Sequence, residues 1–206
     1  LLTDGKWWAN ISSPIAQKLS GFSSDITLDA KLFERVKGVW DQKASLKLSE
    51  EQEELLRKTY KGFVRNGALL TSEQKNRLRK IDEELSILSP KFSENVLKHT
   101  NSFELHLTDP KDVAGIPESG LEPAKELAQQ KKQTGWIFNL QIPSYLPLVT
   151  YCHNEAIREK LWRAYSSRSL GGEFDNRSLI ESTVTLKHER AQLLGYKNHA
   201  DFVLEE

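Results

Sequence analysis

Three consecutive stretches between residues 28 and 100 repeat apolar side chains every three or four positions, the spacing of an amphipathic α-helix. The apolar positions are Leu32, Phe33, Val36, Val39 and Trp40, then Leu55, Leu56, Tyr60, Phe63 and Val64, then Leu78, Ile81, Leu85, Leu88, Phe92 and Val96. Helices joined by short loops pack as antiparallel hairpins, which we expect over residues 12–100. Ser89-Pro90 lies inside the third stretch and predicts a kink or a restart there.

Two capping boxes mark where the second and third helices begin. Ser49 is followed three residues later by Gln52, and Thr71 by Gln74. In this arrangement the hydroxyl accepts from the amide three residues on, and the glutamine side chain returns a bond to the first backbone amide. Asn66-Gly67 is expected to end the second helix, because both residues tolerate a left-handed cap.

The pattern changes after Thr100. Residues 102–107 alternate polar and apolar side chains, and residues 136–142 are a second candidate strand. A short polar helix entered at Pro123 is expected over residues 122–132, and another short piece is bounded by Pro143 and Pro147. The fold class predicted is therefore mostly α, with a small β insertion at about residues 102–142 inside a segment spanning 101–150.

Helical periodicity returns over residues 151–206. Asn154 is expected to cap one helix, which Gly171-Gly172 would stop; Asp175 or Asn176 would cap a longer one, closed by Gly195, and Asn198 would open a last helix. The apolar stripe of the longer helix is interrupted where Lys187 and His188 stand.

Composition excludes several function classes. Lys+Arg and Asp+Glu are equal at 29 each, so we expect neither a nucleic-acid partner nor an anionic membrane surface. Apolar runs such as residues 146–152 are far shorter than the ~20 residues of a membrane helix. The lone Cys152 cannot form an internal disulfide, so no oxidising compartment is required. The compartment stays open, with the cytoplasm slightly favoured.

The nearest approach to a zinc-peptidase motif is His188-Glu189-Arg190-Ala191-Gln192. A catalytic zinc helix needs two histidines four residues apart, with a glutamate beside the first as general base. Gln192 stands where the second imidazole is needed, and an amide oxygen is a poor zinc ligand. The other histidines, His99, His106, His153 and His199, are scattered over different elements. We therefore predict no metal site in this chain.

Other candidate motifs are equally incomplete. Cys152-His153 pairs a thiol with an imidazole, but neighbouring residues point apart. The run from Gly62 to Leu69 has phosphate-loop glycine spacing but lacks the lysine and ends a helix instead of opening one. Ser119-Gly120 lacks the preceding glycine of a nucleophile elbow. The acidic runs 50–54 and 82–84 fit solvated helix faces.

Asn10-Ile11-Ser12 and Asn176-Arg177-Ser178 match the glycosylation triplet, which means little without a secretory context. No catalytic residue is predicted, and the substrate-binding residues stay unknown. The chain starts at Leu1 without a methionine and ends at Glu206 in a predicted helix, so we expect it to be cut from something longer.

Several segments, in one order, resemble the peptidyl-dipeptidase branch of the thimet oligopeptidase family of zinc metallopeptidases. They are Ser24-Asp25-Ile26-Thr27-Leu28 with Leu32-Phe33-Glu34-Arg35-Val36, residues 58–68, Ile81-Asp82-Glu83-Glu84-Leu85-Ser86, Pro143-Ser144-Tyr145 with Tyr151, residues 158–165, Asp175-Asn176 and residues 193–202. The similarity runs from about residue 12 to the end, and residues 1–11, including Trp7-Trp8, are not placed by it.

The resemblance implies a neurolysin-like N-terminal helical region that forms one wall of a narrow channel admitting short peptides. The parent protein would carry zinc, which polarises the scissile carbonyl and activates water. The zinc-binding helix would belong to a C-terminal catalytic domain, the expected partner of residues 1–206, towards which residues 151–206 would lead. Alone, the chain is predicted to be inactive.

Two questions stay open at the level of sequence. The alternative function is a free-standing helical scaffold or peptide-binding module without enzymatic activity, because composition and periodicity fit it equally well. An apolar patch on the side facing the missing part is also expected, and it would offer a surface for a dimer.

Overall fold

The computed structural model describes residues 5–205, without the side chains of residues 5–10, 12 and 13. Trp7, Trp8 and the Asn10 glycosylation triplet therefore lie outside the described side chains. Within residues 5–205 the chain forms nine α-helices and one two-stranded sheet, which confirms the mostly α fold with a small β insertion. The helices are α1 (Gly5–Thr27), α2 (Ala30–Asp41), α3 (Glu50–Arg65), α4 (Ser72–Ser102), α5 (Glu118–Gln130), α6 (Ile142–Tyr151), α7 (Glu155–Ser166), α8 (Arg177–Leu193) and α9 (His199–Leu204), and the strands are β1 (Leu105–Leu107) and β2 (Trp136–Phe138).

The chain divides into two compact units. The first contains residues 1–91 and 179–206, and the second contains residues 92–178. Helix α9 and most of α8 belong to the same unit as α1, α2 and α3. In the described part of the chain, no helix combines the length and the apolar character needed to cross a membrane.

Helix α1 is the element that sequence reasoning missed. Its 23 residues include Pro14, Gly21 and several serines, all weak helix formers. The helix is stabilised at its C-terminal end, where Ser24 and Leu28 are buried. Tertiary packing therefore overrides a weak local preference here.

Helices α2 and α3 form the predicted antiparallel hairpin. Near the start of α2, Phe33 packs on Phe63 near the end of α3, with ring centroids 5.9 Å apart. Trp40, at the other end of α2, stacks on Tyr60 at 4.4 Å with an interplanar angle of 3°. Ser49 accepts from the Gln52 amide at 3.3 Å, and the Gln52 side chain accepts from the Ser49 amide at 3.0 Å, as the capping box predicts.

Helix α4 is continuous through Pro90. The capping box of Thr71 and Gln74 is confirmed at its start, with bonds of 3.1 and 3.3 Å. The expected restart at Ser89-Pro90 is wrong, because α4 continues for 31 residues to Ser102. Leu78 and Ile81, on its apolar face, are almost fully buried in the first unit. At Pro90 the helix lacks one amide donor but continues.

The second unit has its own apolar core. Strands β1 and β2 pair antiparallel, with Leu105 opposite Phe138 and Leu107 opposite Trp136. Both strands are shorter than predicted, because residues 102 and 142 belong to helices. The core combines the sheet with helices α5 to α7: Leu105, Leu107, Val113, Ile116, Ala124, Phe138, Leu140, Leu148, Cys152 and Leu161.

Three prolines lie inside helices where sequence suggested boundaries. Helix α5 begins at Glu118 instead of at Pro123, and α6 includes both Pro143 and Pro147. Pro143 occupies the first turn of α6, where a missing amide costs nothing. Pro147 packs close to Gly120 of α5, so the contact between the two helices favours it.

The caps at the starts of the last helices are close to those predicted from the sequence. Asn154 accepts from two amides at the start of α7, and Asn198 accepts from the Asp201 amide at 2.9 Å. Helix α7 ends at Ser166, earlier than the expected stop at Gly171-Gly172. At α8 the Asp175 carboxylate accepts from the Arg177 amide at 3.0 Å, whereas the Asn176 side chain is turned into the core.

Candidate functional site: the helix carrying His188 and Glu189

Helix α8 places the zinc-like motif on the surface of the first unit. His188 and Gln192 are exposed, whereas Leu186 and Ala191 are buried. The buried face of α8 is therefore the one that carries Leu186 and Ala191, and His188 lies outside it. Among the described residues, no group of three or more histidine, cysteine, aspartate or glutamate side chains is placed to hold a metal ion.

Glu189 is bound to an arginine of α4. The Nε of Arg77 donates to Oε1 of Glu189 at 2.6 Å, and Nη2 donates to Oε2 at 2.6 Å. These hydrogen bonds, together with the arginine charge, hold the pKa of Glu189 below its ordinary value. A general base needs a pKa near the working pH and a free oxygen, so Glu189 is poorly suited to that role.

A second ion pair lies one residue further along. Arg190 donates from Nε to Oδ1 of Asp82 at 2.7 Å, and its side chain is only 16% exposed. The guanidinium also lies over the ring of Phe202, 5.1 Å from its centroid. Two ion pairs thus link α4 and α8. The arginine comes from α4 in the Arg77–Glu189 pair and from α8 in the Arg190–Asp82 pair.

These ion pairs lie beside the interruption of the apolar stripe at Lys187 and His188, which are both exposed. From sequence the acidic run at residues 82–84 fits a solvated face, but in the structure Asp82 pairs with Arg190. Local sequence patterns cannot pair residues that are 108 positions apart. The Asp82–Arg190 pair could therefore be found only from the tertiary structure. Glu189 and Arg190 of α8 are thus engaged in ion pairs with α4.

A third cluster joins α3 to α9. Arg65 donates to the backbone carbonyl of Phe202 at 2.8 Å and pairs with the Glu205 carboxylate. Tyr196 donates its hydroxyl to the same carboxylate at 2.6 Å. The arginine lies 4.6 Å from the Phe202 ring centroid, so a cation–π contact adds to the ion pair. Sequence gave no signal for this cluster either.

The remaining histidines have separate roles. Nδ1 of His99 accepts from the Ser169 amide at 2.9 Å, and Nε2 of His106 donates to the Thr134 carbonyl at 2.7 Å. The His153 ring lies against Gly115. Burial is the main cause that lowers the pKa of His199, whose Nδ1 is buried without a hydrogen-bond partner among the described residues.

Cys152 is buried in the core of the second unit and donates its thiol to the Asp112 carbonyl at 3.2 Å. A reactive cysteine is partly exposed, whereas only 2% of Cys152 is accessible. The glycine-rich run from Gly62 to Leu69 is the end of α3 and the turn after it, as expected. Ser119 lies within α5, so it is not on a strand-to-helix elbow.

Asn176 is almost fully buried, with 1% of its surface exposed. It accepts from Asn95 at 2.8 Å and donates to the Phe92 carbonyl at 3.1 Å. This side chain is inaccessible, so the second glycosylation triplet cannot be used in the folded protein. Its amide instead ties the chain entering α8 to the C-terminal half of α4.

Two tyrosines and an arginine form a stack in the second unit. Tyr145 and Tyr165 stack with centroids 4.1 Å apart, and Arg168 lies 3.6 Å from the Tyr165 ring. Arg168 also donates to the Thr100 hydroxyl at 2.9 Å. Burial raises the pKa of Tyr145, and the nearby Tyr165 adds to the effect. The stack orders a turn in which Ser169 has a positive φ of 58°.

The segment that contains the zinc-like motif matches a known protein family. The family model described as Peptidase family M3 matches residues 148–206, the segment that contains α7, α8 and α9. Oligopeptidase A of Salmonella typhimurium (strain LT2) is 36% identical over 187 residues, which are 88% of this chain and 28% of that protein. The probable cytosolic oligopeptidase A of Arabidopsis thaliana is 40% identical over 161 residues, or 75% of this chain and 23% of that protein.

Dipeptidyl carboxypeptidase of Salmonella typhimurium is 29% identical over 192 residues, 92% of this chain and 28% of that protein. These relatives all carry the names of peptidases. The chain belongs to the thimet oligopeptidase and peptidyl-dipeptidase family, as the ordered segments predicted. It spans about a quarter of the length of the curated relatives that it matches.

Proposed function

We propose that this chain is the N-terminal, non-catalytic helical portion of a zinc-dependent oligopeptidase or peptidyl-dipeptidase that hydrolyses short peptides. One observation carries the proposal: 88% of the chain aligns with only 28% of an oligopeptidase A. The zinc would be bound by residues outside positions 1–206, and when bound it would polarise the scissile carbonyl and activate water.

The role of residues 1–206 in that protein is structural. The α4–α8 ion pairs and the α3–α9 cluster give the first unit charged cross-links, and the core of the second unit is closely packed. A rigid wall beside a cleft restricts access to chains thin enough to enter, which would limit substrates to short peptides. The catalytic portion is the partner that we assign to this chain.

The zinc-like motif supports assigning the metal to another part of the protein. Gln192 replaces the second histidine, and Glu189 is already bound to Arg77. The donor set of α8 therefore fits a helix-packing role better than zinc binding.

The test is a chimaera in which residues 1–206 replace the aligned segment of Salmonella oligopeptidase A. We expect the chimaera to bind zinc and to cleave a fluorogenic peptide, with activity lost on chelation. The isolated chain should do neither. Its matched control is a chimaera carrying Asp82→Ala, which should lose thermal stability while any remaining folded protein keeps its zinc.

Two outcomes contradict the proposal. Chelator-sensitive cleavage by residues 1–206 alone would place the chemistry within this chain. A well-folded chimaera that binds zinc but has no peptidase activity would favour the alternative, a helical scaffold or peptide-binding module.

A further inference from the structure

A small polar cavity lies within the first unit, where α1 meets the ion pair of α4 and α8. Its volume is about 240 Å³. Pockets for drug-sized ligands measure roughly 300–1,000 Å³, so this cavity suits a smaller molecule. The polar lining comes from α1, from the C-terminal cap of α3, and from α4 and α8; it includes Ser20, Ser23, Ser24, Asn66, Asp82 and Arg190.

The hydroxyl of Ser24 indicates that the cavity is occupied by a polar partner. Ser24 lines the cavity, is only 7% exposed, and makes no hydrogen bond to any other described residue. A buried hydroxyl without a partner is costly, so native proteins rarely leave one unsatisfied. Thr27, on the same helix, differs because its hydroxyl donates to the Ser23 carbonyl at 2.9 Å. Ser24 therefore needs a partner that enters the cavity.

The Asp82–Arg190 pair has unused polar atoms as well. It is joined by the single bond from Nε to Oδ1, whereas Arg77 and Glu189 are joined by two bonds. Within the part of the chain that the structure describes, Oδ2 of Asp82 and both Nη atoms of Arg190 make no hydrogen bond. An anionic acceptor and a cationic donor thus remain side by side in the lining of the cavity.

These two charges select the class of ligand. A simple anion would be attracted by Arg190 and repelled by Asp82, and a simple cation would meet the reverse. A zwitterion satisfies both charges, because each of its ionised groups forms a charge-assisted hydrogen bond with the side chain of opposite sign. Asp82 and Arg190 are in direct contact, so their unused atoms lie close together. That closeness matches an α-amino acid, whose two charged groups are attached to one carbon, better than a peptide with distant ends.

We propose that this cavity binds a free α-amino acid, with its carboxylate on Arg190 and its ammonium group on Asp82. The Ser24 hydroxyl donates to the carboxylate. The Nδ2 of Asn66 already donates to the Gly62 carbonyl at 2.8 Å, so its Oδ1 is the acceptor left for the ammonium group. The bound molecule bridges α1 to α4 and α8. This site is separate from peptide hydrolysis and does not depend on the proposed peptidase activity.

The test measures binding by titration calorimetry to the full-length polypeptide that contains residues 1–206. Zinc is first removed with a chelator, because amino acids also bind zinc. L-Serine is the probe, since the lining is mostly polar, and it should bind with a Kd below ~1 mM. L-Serinamide lacks the carboxylate and N-acetyl-L-serine lacks the ammonium group. Each should bind at least ~10-fold more weakly, because each leaves one charge of the pair without its partner.

Variants locate the binding in this cavity. Asp82→Asn keeps an acceptor for the Arg190 Nε but removes the negative charge, and it should weaken L-serine binding at least ~10-fold. Ser24→Ala should weaken it about tenfold, because one hydrogen bond to a charged group is lost. The matched control is Asp41→Asn, at the exposed partner of Lys37, which should bind L-serine like the wild type. Thermal unfolding of each variant separates lost binding from lost folding.

Three results would overturn the proposal. The wild-type protein could show no binding of L-serine up to ~10 mM, which would mean that the cavity holds only water. Either derivative could bind as tightly as L-serine, or folded Asp82→Asn could bind as tightly as the wild type. The comparison of L-serine with its derivatives uses wild-type protein alone, so it decides the question even where a variant fails to fold. No catalysis is measured, so the result is independent of the peptidase proposal.

Discussion

Arg77 of α4 and Glu189 of α8 form a two-bond ion pair, with both nitrogen–oxygen distances at 2.6 Å. The glutamate that follows His188 in sequence is thus engaged in joining two helices. The Arg77–Glu189 ion pair argues against zinc chemistry at this motif more directly than the missing second histidine does.

The ion pair should make stability depend on pH in one direction. The folded-state pKa of Glu189 lies below its ordinary value of 4.5, so the pair stabilises the protein above that pH and is lost on acidification. Glu189→Gln should cost about 0.5 kcal/mol near neutral pH, a small figure because the carboxylate is 37% exposed. Urea unfolding at neutral and at acidic pH measures both effects, and the variant should be less sensitive to acid than the wild type. An equal loss at both pH values would contradict the assignment.

The neighbouring pair should matter more because it is less exposed. Asp82→Ala leaves the Arg190 guanidinium without its carboxylate in a site where that side chain is 16% exposed. The expected loss is about 2 kcal/mol in the free energy of unfolding. Asp41→Ala, which removes the exposed partner of Lys37, is the control and should change stability little. Comparable losses for both variants would mean that the Asp82 pair is no better shielded than a surface pair.

The buried amide pair of the second unit predicts a distinctive pH response. Asn176→Ala leaves the Asn95 amide group unsatisfied in the core and should cost about 2 kcal/mol. Asn176→Asp should cost more at neutral pH, because it buries a charge and removes the donor to the Phe92 carbonyl.

In the aspartate variant the folded-state pKa should be raised, so stability should recover as the pH falls. Thermal unfolding of both variants between neutral and acidic pH makes the comparison. An aspartate variant that is most stable at neutral pH would show that this position is hydrated.

Gly115 should tolerate no side chain. Its φ is +90°, and an added Cβ would lie 2.3 Å from the Tyr151 carbonyl oxygen and 2.5 Å from the His153 ring. Gly172, also in the second unit, has a φ of +72° with nothing within 4 Å of an added Cβ. Gly172→Ala therefore isolates the backbone strain, about 1 kcal/mol, whereas Gly115→Ala should cost about 3 kcal/mol or more. Denaturant midpoints give the difference, and equal midpoints would rule out the steric conflict.

Local sequence determined the parts of this protein that depend on residues a few positions apart. Ser49 with Gln52 and Asn198 with Asp201 show this, since each cap is completed within one helical turn. The alternation around Leu105 likewise predicted a strand, although its length was set by the helix before it. The family could also be recognised from short segments that follow one another along the chain in one order.

Only the tertiary structure decided the rest. Helix α1 has weak local preferences, and its C-terminal end is buried at Ser24, as is Leu28 just beyond it. The role of Glu189 depended on Arg77, 112 residues away, and no spacing rule connects them. Charges that look solvated in sequence become cross-links when two helices bring them together, because pairing depends on distance in space.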